Sequence, residues 1–524
     1  MSEEVKADGF ESTVNAHGEA LSNEAYVAGL NAVMRGRIEK MAAFRDSGVE
    51  VYATGFEPDA RAADLKKAYE GKSHDEMEAL AVSCKLAGRI MAIRVFGKGS
   101  FAVLKDATGT IQIHISKELV GESVFEQYKK YDVGDIVGAE GVLFVTKTGE
   151  LTLRCASIML LTKSLRPLPE KWHGLTDTES RYRQRYVDLM VNDSVREVFY
   201  KRSLITQRLR QLMAERGFLE VETPMMQLQA GGAAARPFKT HHNALGIDMY
   251  LRIAPELFLK RLIVGGFERV FELNRNFRNE GLDRRHNPEF TMMEFYMAYG
   301  TYTDLMHFIE SLVQKLCEDI LGSQMLRWNG HDMDISGSWR RLRVREGVAN
   351  VLGVDESKLS ERAFLEASVA ALPEPLSAHL MASKSEGHLL MEIFEQRVEG
   401  TLIQPTFVYE YPASVSPLSR RNDHDKAYVD RFEIFMGGIE LGNAFNELND
   451  PLDQRQRFLD QIHNRARGDE EAHPMDDDYV RALEYGMPPC AGAGIGVDRL
   501  VMMMTDSDSI RDVILFPTLR PDAT

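Results

Sequence analysis

The chain has 524 residues, 44% of them hydrophobic, and a formal net charge of −16, which is apolar mass enough for two or more cores. An acidic balance of that size excludes broad electrostatic binding of nucleic acid and confines any such contact to a local surface. No run approaches the roughly 18 apolar residues of a membrane span, the acidic N-terminus lacks a signal peptide's basic and apolar regions, and Cys84, Cys155, Cys317 and Cys490 lack CxxC spacing, so free thiols and a cytoplasmic location are expected.

Residues 1–24 are acidic and weakly patterned, as in a mobile tail. Residues 25–80 read as helical, including Asn31 to Ser47 and the region around Lys66 to Tyr69. Short strand-like runs follow at Cys84–Arg94, Phe101–Lys105, Thr110–Ile115, Asp135–Val145 and Leu151–Ile158, with a helix-like stretch from Lys117 to Tyr131. Five strands with a helix between the third and fourth is the layout of an OB barrel, and another small barrel fits as well. Arg166-Pro167-Leu168-Pro169 is a stiffened linker opening a hinge over 166–190. Residues 161–216 hold 12 Lys/Arg against 7 Asp/Glu, a local basic surface or simply a solvated helix face with ion pairs.

From Val195 to Pro224 a helix face of Val198, Ile205, Leu209 and Leu212 ends at Gly217, and Phe218 to Pro224 follows as a strand. Between Phe271 and Tyr296 two strand-like runs flank a loop carrying Arg275, Arg278, Arg284, Arg285 and His286. On the return strand Phe290, Met292, Glu294 and Tyr296 share one face. A buried carboxylate there either pairs with a cation or bears a large desolvation penalty. The hairpin suits a polyphosphate beside a cationic small molecule, or an internal Arg–Glu network. A helical stretch over about 303–400 precedes a hairpin of Arg431–Phe435 and Gly438–Asn443. Gly492-Ala-Gly494-Ile-Gly496-Val-Asp-Arg499 then places an arginine in the first turn of a helix, behind glycines that permit close backbone approach.

Phe277-Arg278-Asn279-Glu280 resembles motif 2 of the class II aminoacyl-tRNA synthetases. Val195 to Pro224 resembles motif 1, and Gly492 to Arg499 resembles motif 3. Arg181 to Leu189 is similar to the hinge of class IIb, whose members place an OB barrel before the catalytic domain and serve aspartate, asparagine or lysine. The implied architecture is α+β: N-terminal helices and an OB-fold β-barrel over 25–165, and a class II catalytic domain over 191–524 with an antiparallel sheet flanked by helices. An aspartate site needs cations for the side chain, whereas a lysine site needs carboxylates. Glu256, Glu294 and Glu447, with Gly231 to Phe238, His241-His242-Asn243 and Tyr411 to Leu418, closely resemble the bacterial lysine-specific members.

The resemblance implies a lysine pocket of Gly232, Glu256, Glu294, Tyr296, Asn443, Phe445 and Glu447. It implies ATP contacts from Arg278, Glu280, His286, Asn287, Phe290 and Arg499, and Mg²⁺ carboxylates Glu433 and Glu440. Phe101 and Gln112 match anticodon contacts. Activation of L-lysine with ATP, transfer to tRNA(Lys) and a homodimer built on motif 1 follow from it, with Arg278 and Arg499 as the catalytic cations. The alternatives are an aspartyl or asparaginyl enzyme, opposed by the three carboxylates, and an inactive tRNA-binding relative, opposed by the complete cation and carboxylate set. Those three carboxylates are expected to repel one another in an empty pocket. Where the family commonly carries Gly-Phe-Ser/Thr, this chain has Ala444-Phe445-Asn446, losing a glycine's positive φ and a small hydroxyl beside the ammonium site.

Overall fold

A computed structural model describes residues 22–169, 175–466 and 474–521. The chain divides by its contacts into two compact units, Met1–His173 and Gly174–Thr524. Most of the tail expected over 1–24 lies outside the described residues. The first helix starts at Asn23, where Ser22 accepts from the Ala25 amide.

In the first unit, helices Ala32–Asp46, Ala62–Ala68 and His74–Leu80 precede the strands. The last of them opens on a reciprocal capping box between Ser73 and Glu76. Strands β1 (Ser83–Phe96), β2 (Gly99–Lys105), β3 (Thr110–Ser116), β4 (Ile136–Val145) and β5 (Leu151–Thr162) close into a barrel of order β1-β2-β3-β5-β4. Strict alternation drives the closure. Ala102, Leu104, Ile111, Ile113 and Ile115 point inward, and the residues between them point out. The helix expected over Lys117–Tyr131 is two, Lys117–Val120 and Glu122–Tyr128, because Gly121 at φ +84° breaks it.

The second unit is built on an eight-stranded sheet. Its strands, with those of two small sheets, are β6 (Leu219–Glu220), β7 (Met226–Gln227), β8 (Lys239–His242), β9 (Ile247–Leu251), β10 (Arg269–Phe277) and β11 (Glu289–Ala298). They continue with β12 (Met325–Trp328), β13 (His331–Asp334), β14 (Arg340–Arg343), β15 (Thr406–Pro412), β16 (Tyr428–Met436), β17 (Ile439–Asn446) and β18 (Cys490–Gly496). The main sheet runs β14-β15-β16-β17-β18-β11-β10-β6, antiparallel except at its two edge pairs. Helices Asp193–Glu215, Tyr302–Leu321 and Val497–Thr505 supply the apolar faces that pack with it into one core.

Two expectations change. The strand after the long helix keeps only Leu219–Glu220 as a ladder, pairing parallel with β10 at the sheet edge; Pro224 has no N–H to extend it. The stretch over 303–400 is also not wholly helical. Asn329-Gly330, both at positive φ, turn the β12–β13 hairpin, and β14 joins the main sheet. The segment read as a hinge forms helices Thr178–Arg183 and Arg185–Val191. There the buried Arg185 donates to Asp188 and to the carbonyls of Arg511 and Leu515. Among the described residues, no helix is long and apolar enough to cross a membrane. All four cysteines are buried and free.

Candidate active site

The face of the sheet formed by β16, β17, β18 and β11 floors a cavity of about 560 Å³. Its walls include Gly232, Glu256, Arg278, Glu280, His286, Asn287, Phe290, Glu294, Tyr296, Glu433, Glu440, Asn443, Phe445 and Arg499. Glu447 lies directly behind it. Every residue the sequence assigned to the lysine and ATP sites is therefore gathered in one place.

β11 supplies the centre. Its register sets Glu294 opposite Glu272 on β10 and opposite Gly494 on β18, with Tyr296 opposite Gly492. The glycine at 492 is required: a Cβ there would collide with the Tyr296 ring and a Glu447 carboxylate oxygen. Gly232, at φ +91°, similarly leaves room for the Glu256 side chain. Glu272 is satisfied by Arg252 and Thr223. Glu294 is not. Its exposure is 6%, and its Oε2 has no hydrogen-bond partner. Burial, reinforced by the nearby Glu256 charge, pushes it well above the usual carboxylate range.

The other two carboxylates are not left to repel one another. Lys260, fully buried one turn after Glu256 on helix Glu256–Val264, donates to Glu256 Oε1 at 2.6 Å and ion-pairs with Glu447. Its ammonium also sits 5.3 Å from the Phe445 ring centroid. Burial alone would lower Lys260, but Glu256 and Glu447 reverse this and hold it charged. Burial pushes Glu447 up to about 8 against the pull of Lys260. The sequence reading missed Lys260.

On the nucleotide side, His286 faces Asp283 Oδ2 through Nδ1 at 2.8 Å and accepts at Nε2 from Arg499 at 3.2 Å. Arg499 also donates to the Glu440 carbonyl at 2.6 Å. The Arg278 guanidinium lies 5.1 Å from the Phe290 centroid, so here it covers the ring expected to stack on adenine. One buried carboxylate ties the three motifs together. Asp498 ion-pairs with Arg202 of the long helix at 2.6 Å and accepts from the Thr291 amide on β11 at 2.6 Å. That contact fixes the helix start from which Arg499 projects.

Glu433 and Glu440 reach the cavity from the β16–β17 hairpin, whose turn uses Gly437 and Gly438 at positive φ. Glu433 opposes Asn443, but a register shift after Ile434 sets Glu440 opposite Phe435. The extra residue, Leu441, turns Glu440 onto the same face as Glu433. Without that bulge the two carboxylates would lie on opposite sides of the sheet. Glu433 already has protein partners: Arg431 at 2.6 Å and the Tyr411 hydroxyl at 2.8 Å. Arg431 also donates to Asn443 and Ser416, and it was missed too. Burial, partly offset by Arg431 and reinforced by Glu440, pushes Glu433 up to about 7, and Glu399 is likewise pushed up to about 7 by burial and Glu440. Glu433 and Glu440, two carboxylates brought to one face beside the cavity, are hard oxygen donors chemically suited to a divalent cation.

The Ala444 and Asn446 departures fall on the far face of β17. Ala444 is core, in regular strand paired with Phe432 and Ala493. Asn446 accepts from the Tyr302 amide and donates to Asp430. Neither alters the pocket face, which Asn443, Phe445 and Glu447 occupy.

In the barrel, Phe101 on β2 and Gln112 on β3 both point outward from the core. Phe101 lies 4.9 Å from the His114 ring and 5.4 Å from the Phe96 ring, an aromatic cluster that the sequence reading did not single out beyond Phe101. Gln112 accepts from Thr152 through its carbonyl.

The family model described as tRNA synthetases class II (D, K and N) matches residues 177–520. The OB-fold nucleic acid binding domain matches residues 84–161. Proteins named lysine–tRNA ligase from Salmonella paratyphi C, Salmonella paratyphi B and Salmonella newport are each 52% identical over 496 residues, covering 94% of this chain and 97% of theirs. With an OB barrel ahead of a sheet on which all three motifs converge, the chain belongs to the class II aminoacyl-tRNA synthetases.

Proposed function

We propose that this chain is a lysine–tRNA ligase: it activates L-lysine with ATP to lysyl-adenylate and pyrophosphate, then transfers lysine to the 3′ end of tRNA(Lys). The observation that carries the choice of amino acid is the buried set Glu256, Glu294 and Glu447, with the Glu294 Oε2 left unpartnered at the cavity wall. A carboxylate side chain such as that of aspartate would be repelled there. An ammonium supplies what Glu294 lacks.

The lysine carboxylate attacks the α-phosphorus in line, displacing pyrophosphate, and no general base is needed because the nucleophile is already ionised. Rate comes from positioning and electrostatic stabilisation. Arg278 turns from Phe290 toward the α-phosphate, Arg499 holds the γ-phosphate, and His286 contacts the β/γ oxygens. Adenine stacks on Phe290 with Arg499 on its other side, while Glu280 and Asn287 line the nucleotide end. Glu433 and Glu440 would hold Mg²⁺, which would supply neutralisation of phosphate charge. Phe101 stacks on an anticodon base and Gln112 donates to a base edge.

The homodimer rests on the outward face of helix Asp193–Glu215. Tyr200 and Leu204 are more than half exposed there, and Met225, Met226 and Leu228 of the following segment are exposed too. Charging of unfractionated tRNA with each labelled amino acid in turn tests the function. Lysine alone should be incorporated; incorporation of aspartate or asparagine instead would overturn the proposal.

A further inference from the structure

Lys260 is a buried ammonium behind the wall of the amino-acid pocket, against the lining residues Glu256 and Phe445, and the chemistry outlined above gives it no task. It is too deep to meet solvent, with no exposed surface. It does not merely fill space, because its Nζ contacts Glu256 and Glu447 together and lies against the Phe445 ring. The buried Tyr479 hydroxyl, which has no hydrogen-bond partner, comes from a second helix packed over the same region. A charge so enclosed is tolerated only where its partners are fixed.

The charges can be counted. Glu256, Glu294 and Glu447 carry three negative charges when ionised. Free lysine brings two ammonium groups, one at the α-carbon and one at the side-chain end, while its carboxylate belongs to the Arg278 side of the cavity. Two cations do not balance three buried carboxylates. We propose that Lys260 is the third cation of the amino-acid pocket: by holding Glu256 and Glu447 together through one resident ammonium, it leaves two negative charges to be matched when the three carboxyls ionise around a bound substrate, the number that a diamino acid neutralises. Lys260 is then a specificity-determining positioning residue that acts through its carboxylate partners. A substrate with one ammonium leaves a buried carboxylate unpaired, and that penalty adds to any misfit of shape. This inference rests on the lysine-pocket assignment above.

The test is pyrophosphate exchange with lysine and ATP varied separately. In Lys260→Met, which keeps much of the side-chain length without charge, the lysine KM should rise at least tenfold while the ATP KM stays within twofold. In Lys260→Ala, n-propylammonium fills the missing length and restores the charge. It should lower the lysine KM of that variant saturably, whereas n-propanol should not, and the unsubstituted protein should show only weak competition. If Lys260→Met does not fold, the Lys260→Ala arm with the amine decides alone. A lysine KM unchanged in Lys260→Met, or an amine that restores no more than the alcohol does, overturns the proposal. Glu294→Gln distinguishes the two levels of the argument. If that variant also leaves the lysine KM unchanged, the pocket assignment itself is wrong; if it raises the KM while the Lys260 variants do not, only the role of Lys260 fails.

Discussion

Glu294→Gln separates what the pocket does for the substrate from what it does to the fold. Glu294 is buried without a cationic partner and is held well above its ordinary pKa of 4.5. Burial without a cation favours the neutral carboxyl in the fold, and that preference costs stability as pH rises above the value at which the unfolded chain ionises it. Glutamine removes that penalty, though its amide still needs partners, returning about 1–2 kcal/mol. A net gain of about 1 kcal/mol corresponds to a Tm roughly 1–2 °C higher for a unit of this size. The sign follows from linkage. The raised folded pKa makes Glu294 increasingly unfavourable as pH rises above 4.5, so the variant should be no more stable than the parent near pH 4.5 and should gain on it steadily toward pH 8. Function should move the opposite way, because a charge-assisted contact of about 1.5–3 kcal/mol is lost. The lysine KM in pyrophosphate exchange should therefore rise about 10- to 100-fold, with the ATP KM little changed. A variant that is less stable at every pH and binds lysine normally would refute the reasoning.

Phe101→Ala should weaken tRNA charging by about 1–3 kcal/mol and leave pyrophosphate exchange intact, since Phe101 stands outside the barrel core; equal loss in both assays would mean the ring is structural. With Glu433 raised to about 7 and the cation requiring its ionised form, the apparent Mg²⁺ affinity read from exchange should fall about tenfold between pH 8 and pH 6. A flat Mg²⁺ dependence over that range would exclude Glu433 as a ligand. Sedimentation at micromolar concentration should find a dimer, and Leu204→Glu should dissociate it; an active monomer would remove the motif 1 helix from any interface.

Much of this was legible in the sequence because it rests on period and punctuation. Alternation in the barrel strands and on β11 put the right side chains on the right faces. Gly437-Gly438 and Asn329-Gly330 marked real turns, although the second pair went unused. What the sequence hid depends on register and depth. Glu433 and Glu440 are seven residues apart, and nothing in that spacing reveals the bulge at Leu441 that brings them to one face. Glu256 and Lys260, four apart on a helix, look like an ordinary surface ion pair. The apolar Leu257, Leu259 and Ile263 around them were the available clue that this helix is buried. Arg202 and Asp498 lie almost 300 residues apart, and their ion pair exists only once the motifs have converged. Ala444 and Asn446 seemed to threaten the pocket only because their face of β17 was not fixed; alternation about Asn443 and Phe445 points them away.

Pyrophosphate exchange into ATP, measured with each of the twenty amino acids and no tRNA, tests the central claim most directly, because it isolates the chemistry of the cavity from recognition by the barrel. The account predicts robust exchange with lysine, much weaker exchange with the one-methylene-shorter ornithine, and none with aspartate or asparagine. Exchange driven by aspartate or asparagine, or no exchange with any amino acid, would contradict it.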